Sequence, residues 1–244
     1  MRYKWWLAAL LLFALTVVSR LPARWALLAA PASVGCEEPA GSLWQGRCAR
    51  LRVSGMTIGP VSWTLHPLPL LRARAEVELT SADARLPGSA QLTVRSGGRL
   101  EAHALRASVP LDTDLLPLFA NGWSGRLELD LSTLTLEAGH ITALQGIVNA
   151  DALKQLSPAM PFGSYQLRFA DSAAKEGLIV GELRDRGGPL AVTGTLQLRT
   201  SGDYELNGTA LARSDATPEL VKAVEFLGAA DAQGRRPFSL TGTY

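Results

Sequence analysis

The chain has 244 residues, and its 24 Lys and Arg stand against 22 Asp and Glu for a formal net charge of +2, which excludes nucleic-acid capture by bulk charge. Charged residues make up 19% and hydrophobic ones 47%, too apolar for a disordered chain or an ordinary cytosolic domain. Gly (23) and Pro (14) interrupt the chain too often for a long-helix architecture, and the length suits one or two domains with ample chain for a core.

Met1-Arg2-Tyr3-Lys4 precedes an uncharged apolar run from Trp5 to Val18. A bilayer core requires about 20 helical residues, with about 17 as the lower limit, and the run reaches that length only with Tyr3, Ser19 and Leu21 counted as interfacial. A secretory signal would present small residues at its cleavage site directly after the apolar run. Here Ser19-Arg20-Leu21-Pro22-Ala23-Arg24 follows, and the nearest small-residue pattern, Ala30-Pro31-Ala32, lies too far along and contains Pro. The reading is therefore an uncleaved anchor: a cytoplasmic tail over 1–4, a transmembrane helix over 5–21 carried by Trp5, Trp6, Leu10, Phe13 and Val17, and a membrane-proximal linker over 22–36. Arg2, Lys4 and the amino terminus favour a cytoplasmic start, while Arg20 and Arg24, on one helix face beside Trp25, snorkel at the far interface and weaken that charge argument.

A second indication of sidedness comes from Cys36 and Cys48, with eleven residues between them. Both occupy a polar, Gly-rich stretch rather than an apolar core run, so they read as a disulfide, which stabilises a loop of that size by about 3 kcal/mol and requires an oxidising compartment. Two unrelated buried thiols are the alternative; the spacing does not match a redox or zinc motif.

From residue 37 to 244 the dominant period is two. Val77 and Leu79, Leu92 and Val94, Leu127, Leu129 and Leu131, and Tyr165, Leu167 and Phe169 each alternate with polar residues. Val192, Gly194, Leu196 and Leu198, a turn at Thr200-Ser201-Gly202-Asp203, and then Tyr204, Leu206, Gly208 and Ala210 spell a hairpin with one buried face. Phe238, Leu240 and Gly242 close the series. Such strands with short Gly-bearing turns predict a mainly β fold, an antiparallel, twisted or curved multi-stranded sheet, open or partly closed, with one or two short helices behind the anchor. One helix is well signalled: Thr217 caps, Pro218 suits the first position, Glu219 faces the positive end, Leu220, Val221, Val224 and Leu227 form a stripe, and Gly228 stops it. Shorter helices are expected over 112–118 and 150–156. From Leu131 to Leu136 apolar residues occur at both parities, which suggests apolar surface beyond the needs of one core.

The patterns of catalysis are missing: no nucleophile elbow, phosphate loop, dinucleotide fingerprint or zinc helix is present. His66, His103 and His140 lack Cys or acidic neighbours at ligand spacing, and the acid pairs Asp112/Asp114 and Glu76/Glu78 suit the wet side of extended segments better than a glycosidase dyad. Neither an enzyme, a metal nor a cofactor is expected. Trp44, followed by Gly46, reads as an aromatic packed over the start of the sheet; Trp63, Tyr165 and Tyr204 read as core or cross-strand residues.

Several segments in order carry a family likeness. Gly41-Ser42-Leu43-Trp44-Gln45-Gly46-Arg47 resembles the G-T-L-W-x-G segment that opens the periplasmic part of the type II secretion system protein N family. The stretch from Trp63 to Arg72 is similar to its W-x-L-x-P-L-x-L-L-x-G continuation, with Ala73 where Gly is frequent. Asp185 to Gly194 resembles its G-G-P-L-x-V-x-G strand pair, Gly202 to Gly208 its G-x-Y-x-L-x-G strand, and Leu227 to Arg236 with Leu240-Thr241-Gly242 its closing segment. The resemblance implies a single-pass inner-membrane protein with a periplasmic β domain, an accessory and non-catalytic part of the apparatus that exports folded proteins across an outer membrane. Its implied partners are other secretion subunits, namely the inner-membrane platform and the outer-membrane secretin, with membrane lipid at the anchor and no nucleic acid. The Cys36/Cys48 pair lies outside that likeness. A second resemblance, to AsmA-type proteins whose curved sheet holds lipid in an apolar groove, is the competing expectation, resting on the two-parity stretch from Leu131 to Leu136. Oligomeric state is not legible.

Overall fold

The computed structural model describes residues 2–25, 34–53, 56–111, 122–157, 159–171 and 173–244. The first apolar run forms helix α1 (Arg2–Ser19), 18 residues or about 27 Å long. Its outward side chains include Tyr3, Trp5, Trp6, Leu10, Phe13 and Val17, all strongly exposed. Short-range bonds from the Arg20 and Leu21 N–H groups to the Val17 and Val18 carbonyls close the last turn, so the helix stops at Ser19, ahead of Leu21. Among the described residues no helix is long and apolar enough to cross a membrane.

Period-two alternation builds one sheet. Its strands are β1 (Val34–Gly41), β2 (Gln45–Val53), β3 (Met56–Ile58), β4 (Val61–His66), β5 (Arg74–Ser81), β6 (Gly88–Arg95) and β7 (Leu100–Pro110). They continue as β8 (Trp123–Glu137), β9 (His140–Leu156), β10 (Ala159–Phe169), β11 (Leu178–Asp185), β12 (Leu190–Arg199), β13 (Asp203–Ala212) and β14 (Arg236–Thr243). Spatial order follows sequence order, β1-β2-β4-β5 and onward to β14, with β3 paired to β2 off this path. All neighbours are antiparallel, as tight connections between consecutive strands dictate. Among the described residues no strand pairs with the outer side of β1 or β14, so the sheet is open. β1 begins at Val34, inside the stretch read as linker.

Short helices occur elsewhere among the described residues, including α2 (Pro67–Leu70) after β4 and α3 (Pro218–Glu225) between β13 and β14. In α3 the Thr217 Oγ accepts the Leu220 N–H at 3.3 Å and Pro218 occupies the first position, as its sequence signals predict. The stripe is narrower than expected: Leu220 and Val224 are buried, whereas Val221 and Leu227 are 37% and 40% exposed.

Two expectations are overturned by bulges. Residues 150–156 are not helical but the end of β9, where Ala152 adopts a φ of 50°. This extra residue puts Ala150 and Leu153 on one face, a three-residue spacing that imitates a helix. Leu131 to Leu136 do not present two apolar faces either. Leu131 faces Gly146 and Thr133 faces Gln145, so Ser132 is surplus on β8, opposite Ala104 on β7 with a φ of 48°. The parity flips there, and Leu129, Leu131 and Leu134 join one apolar cluster. The helix expected over 112–118 lies outside the described residues.

Candidate functional site: one apolar face of the sheet

Following the register from strand to strand exposes a single continuous surface. Cys48 faces Val61, Trp63 faces Leu79, Val77 faces Leu92, and Leu92 faces Ala102. The line continues through Leu134 and Leu144, while beside it Leu129, Val148, Leu167, Leu183 and Gly194 succeed one another. It ends on Ala210, Leu206, Phe238 and Leu240. The opposite face carries Glu78, Arg106, Asp130, Arg184, Thr193 and Asn207, all exposed. The sheet is thus apolar on one side from β2 to β14, the consequence of a two-residue period kept in phase by bulges.

Four cross-strand pairs set an aromatic against a glycine. Trp63 lies over Gly46, Phe169 over Gly181, Phe238 over Gly208 and Tyr204 over Gly242, in each case so closely that a Cβ on the glycine would collide with the ring. The aromatic over Gly46 is therefore Trp63, which donates its indole N–H to the Leu43 carbonyl at 3.1 Å. Trp44 instead points back to the helix and donates to the Val18 carbonyl at 2.8 Å. With the Leu43 N–H on Leu21 and the Ala23 N–H on Gly41, this ties the end of α1 to the β1–β2 turn.

Two clusters thicken the apolar face. Leu220 and Val224 of α3 pack on Met160, Leu190, Val192 and Ala210; Leu131, Leu144, Phe169, Ile179 and Leu198 form the second. Alongside the first is an open depression of about 350 Å³, lined by Trp123, Val148, Leu153, Phe162, Leu167 and Leu183 among others. Trp123 and Phe162 meet at 5.0 Å between ring centres, an attractive aromatic contact. Tyr165 borders the depression and donates its hydroxyl to the Phe162 carbonyl. Burial pushes that phenol up to about 12, helped by the Asp185 carboxylate and opposed by Arg213. Neither Trp123 nor Phe162 stands out in the sequence; their signal is an aromatic placed beside strand glycines, Gly125 and Gly163.

Towards β1 lies a second open hollow of about 570 Å³ beside Pro39, Cys48 and Val61. The Cys36 and Cys48 sulfurs meet here as a disulfide between β1 and β2, with Cα atoms 5.7 Å apart. Trp5, Trp6, Leu10, Phe13 and Val17 all lie on α1.

On the polar face the one buried acid among the described residues is Glu101, 8% exposed. Arg95 and Arg99 hold its carboxylate at 3.1 and 2.9 Å, and Arg99 also reaches Glu137 at 2.9 Å. Burial raises the Glu101 pKa, but the bonds and charges of the two arginines outweigh it and leave the group below its ordinary value. The three histidines do not gather. His66 on β4 meets Glu78, His103 on β7 stands 3.9 Å from Glu101, and His140 on β9 lies against Gly202. Among the described residues no three His, Cys, Asp or Glu are grouped to hold a metal.

Comparison with known proteins follows the same path. The family model described as type II secretion system (T2SS), protein N matches residues 32–239. Three relatives named type II secretion system protein N align nearly end to end. The one from Aeromonas hydrophila is 27% identical over 219 residues, covering 87% of this chain and 85% of the relative. That from Vibrio cholerae is 25% identical over 93% and 92%, and that from Pectobacterium carotovorum 25% identical over 96% and 94%. No solved structure matches. With the family model matching residues 32–239 and the relatives covering 87% to 96% of the chain, the protein belongs to the type II secretion system protein N family.

Proposed function

We propose that the chain is an accessory, non-enzymatic subunit of the type II secretion apparatus whose apolar sheet face docks other subunits during export of folded proteins across the outer membrane. The observation that carries this reading is family membership joined to a sheet whose continuous apolar side is only partly covered by α3. A one-sided sheet leaves surface that favours association. Residues 1–4 lie in the cytoplasm, residues 5–21 anchor the chain once in the inner membrane, 22–36 link, with their last three residues already paired in β1, and 37–244 form the rest of the periplasmic domain. Supporting the anchor are the exposed Trp5, Trp6, Leu10, Phe13 and Val17, whose aromatic pair suits the membrane interface. The 18 residues of α1 do not cross a bilayer by themselves, so the anchor requires the chain onward to Leu21 and local thinning of the bilayer. In the oxidising periplasm Cys36 and Cys48 remain bonded and clamp β1 to β2. The platform and the secretin are the subunits within reach. The test is a deletion strain combined with affinity recovery from solubilised membranes: secretion falls and apparatus subunits co-purify. Undiminished secretion with no apparatus subunit recovered contradicts the reading.

A second reading, an AsmA-like lipid-handling protein, is favoured by the depression beside Trp123 and Phe162, which apolar side chains dominate. Native mass spectrometry of the detergent-purified chain distinguishes it: retained phospholipid, lost on Leu183→Asp, supports lipid handling, and its absence removes that reading.

A further inference from the structure

The two edges of the sheet are built differently. β1 carries Glu37, Glu38 and Pro39, its ladder is interrupted at Glu38 with a φ of 55°, and Glu37 is engaged by Arg50 and Arg52. Charge and proline are devices that keep an edge from pairing, and the break in the ladder at Glu38 adds to them. β14 has none of them beyond its first turn of chain: from Phe238 to Tyr244 there is no charge and no proline. Ser239, Leu240, Thr241 and Thr243 are exposed, Leu240 by 56%.

The ladder shows which backbone groups are free to pair. The Tyr244 N–H donates to the Gly202 carbonyl at 2.9 Å, and Gly242 faces Tyr204 while Leu240 faces Leu206. Antiparallel alternation then turns the N–H and C=O of the even-numbered residues toward β13, and those of Ser239, Thr241 and Thr243 outward. Pro237, which has no N–H, falls in the outward set, where its loss breaks no ladder bond.

We propose that β14 pairs with β14 of a second copy of this chain, antiparallel, about a two-fold axis at Leu240. In that register Ser239 exchanges hydrogen bonds with the partner's Thr241, and the Pro237 carbonyl accepts from the partner's Thr243. A slip by two residues in either direction leaves one of these outward groups without a partner residue within the strand. Side chains agree with the same axis. Phe238 falls opposite the partner's Gly242, which brings no side chain to obstruct the approach, while its own ring stays over Gly208 and Tyr204 stays over Gly242. Leu240 faces its own counterpart, Ser239 faces Thr, and no like charges oppose. Arg236, the one cation on the strand, is engaged by the Glu225 and Gly228 carbonyls. The match is of β14 with itself, which is why the occupant is a second copy, an isologous contact. Phe238 and Leu240 belong to the apolar face, so pairing also joins the two apolar faces into one.

The inference stands apart from secretion and is tested on the purified full-length chain in detergent, by size exclusion with light scattering over a micromolar dilution series. The wild type is a dimer. Thr241→Pro, which removes an outward N–H, and Leu240→Lys, which opposes two cations at the axis, each give monomer with unchanged far-ultraviolet circular dichroism. A non-hydrogen-bonded pair brings Cα atoms to about 4.5 Å, within disulfide range. Leu240→Cys therefore forms an interchain disulfide on mild oxidation, and Thr243→Cys forms little. A wild type monomeric throughout, a dimer surviving both substitutions, or equal crosslinking from both cysteine variants overturns the proposal. So does Leu240→Cys capturing a different protein in cells in place of its own copy, which would give the edge to a foreign strand.

Discussion

At Gly208 a methyl group has no room: a Cβ there would stand 2.5 Å from the Thr193 carbonyl oxygen and 2.7 Å from the Phe238 ring. Gly208→Ala is expected to destabilise the fold by about 1–3 kcal/mol through overpacking. Gly35→Ala, whose Cβ meets only the Arg52 Cβ at 3.8 Å, stays within about 0.5 kcal/mol; urea denaturation of both checks the contrast. Glu101 gives the pH dependence. Its pKa is depressed in the folded state, because Arg95 and Arg99 outweigh its burial. Its contribution is therefore fully present above the unfolded carboxyl value and lost as pH falls through the lower folded one. Glu101→Gln is expected to destabilise at pH 7, with the gap to wild type closing progressively below about pH 4.3. A gap that stays constant from pH 7 to pH 3 contradicts this. Little of either residue's role is legible in the sequence. Gly208 reads as a strand position, but the ring that covers it belongs to Phe238, thirty residues on, and only the register brings them together. Trp44 was matched to Gly46 by proximity along the chain, whereas the ladder supplies Trp63.

Among elements, α3 was the most legible, because capping, proline placement and the apolar stripe are local signals. Its burial was not, since a helix of eight residues touches the sheet along one narrow line. Leu220→Ala is expected to cost about 2–4 kcal/mol, because Leu220 is 1% exposed against Met160, Leu190 and Val192. Val221→Ala, on the open side, changes stability by less than about 0.5 kcal/mol; thermal or chemical unfolding of the pair measures how much of the apolar face α3 secures. The strands from β11 to β13 follow their alternation closely. Bulges defeat it elsewhere: Ser132 and Ala104 flip parity in step, so a stretch that reads as two-faced has one apolar face, and Ala152 lends the end of β9 a helical spacing. An inserted residue is invisible to periodicity unless the neighbouring strand is known.

For the whole molecule, charge and apolar surface are segregated. Residues 1–36 hold Arg2, Lys4, Arg20 and Arg24 and no acid, a net of +4, and the remaining 20 bases and 22 acids give −2. The sheet domain is thus nearly neutral, which suits docking by apolar contact and strand edges better than electrostatic capture. Thirteen strands lie on the path from β1, tied to the end of α1, to β14, so at about 4.8 Å per spacing the sheet extends ~58 Å along its contour away from the end of α1. If α1 is the anchor proposed above, such a span sets the far strands at a distance from the membrane. The most direct measurement of that role is photocrosslinking in cells from single positions on the two faces: Leu92 and Val94 on the apolar side, Thr195 and Asn207 on the polar side. Adducts with type II secretion subunits from Leu92 and Val94, and few from Thr195 and Asn207, are the predicted result. Adducts from the apolar positions with lipid alone, or secretion-subunit adducts from the polar positions instead, would contradict docking through the apolar face.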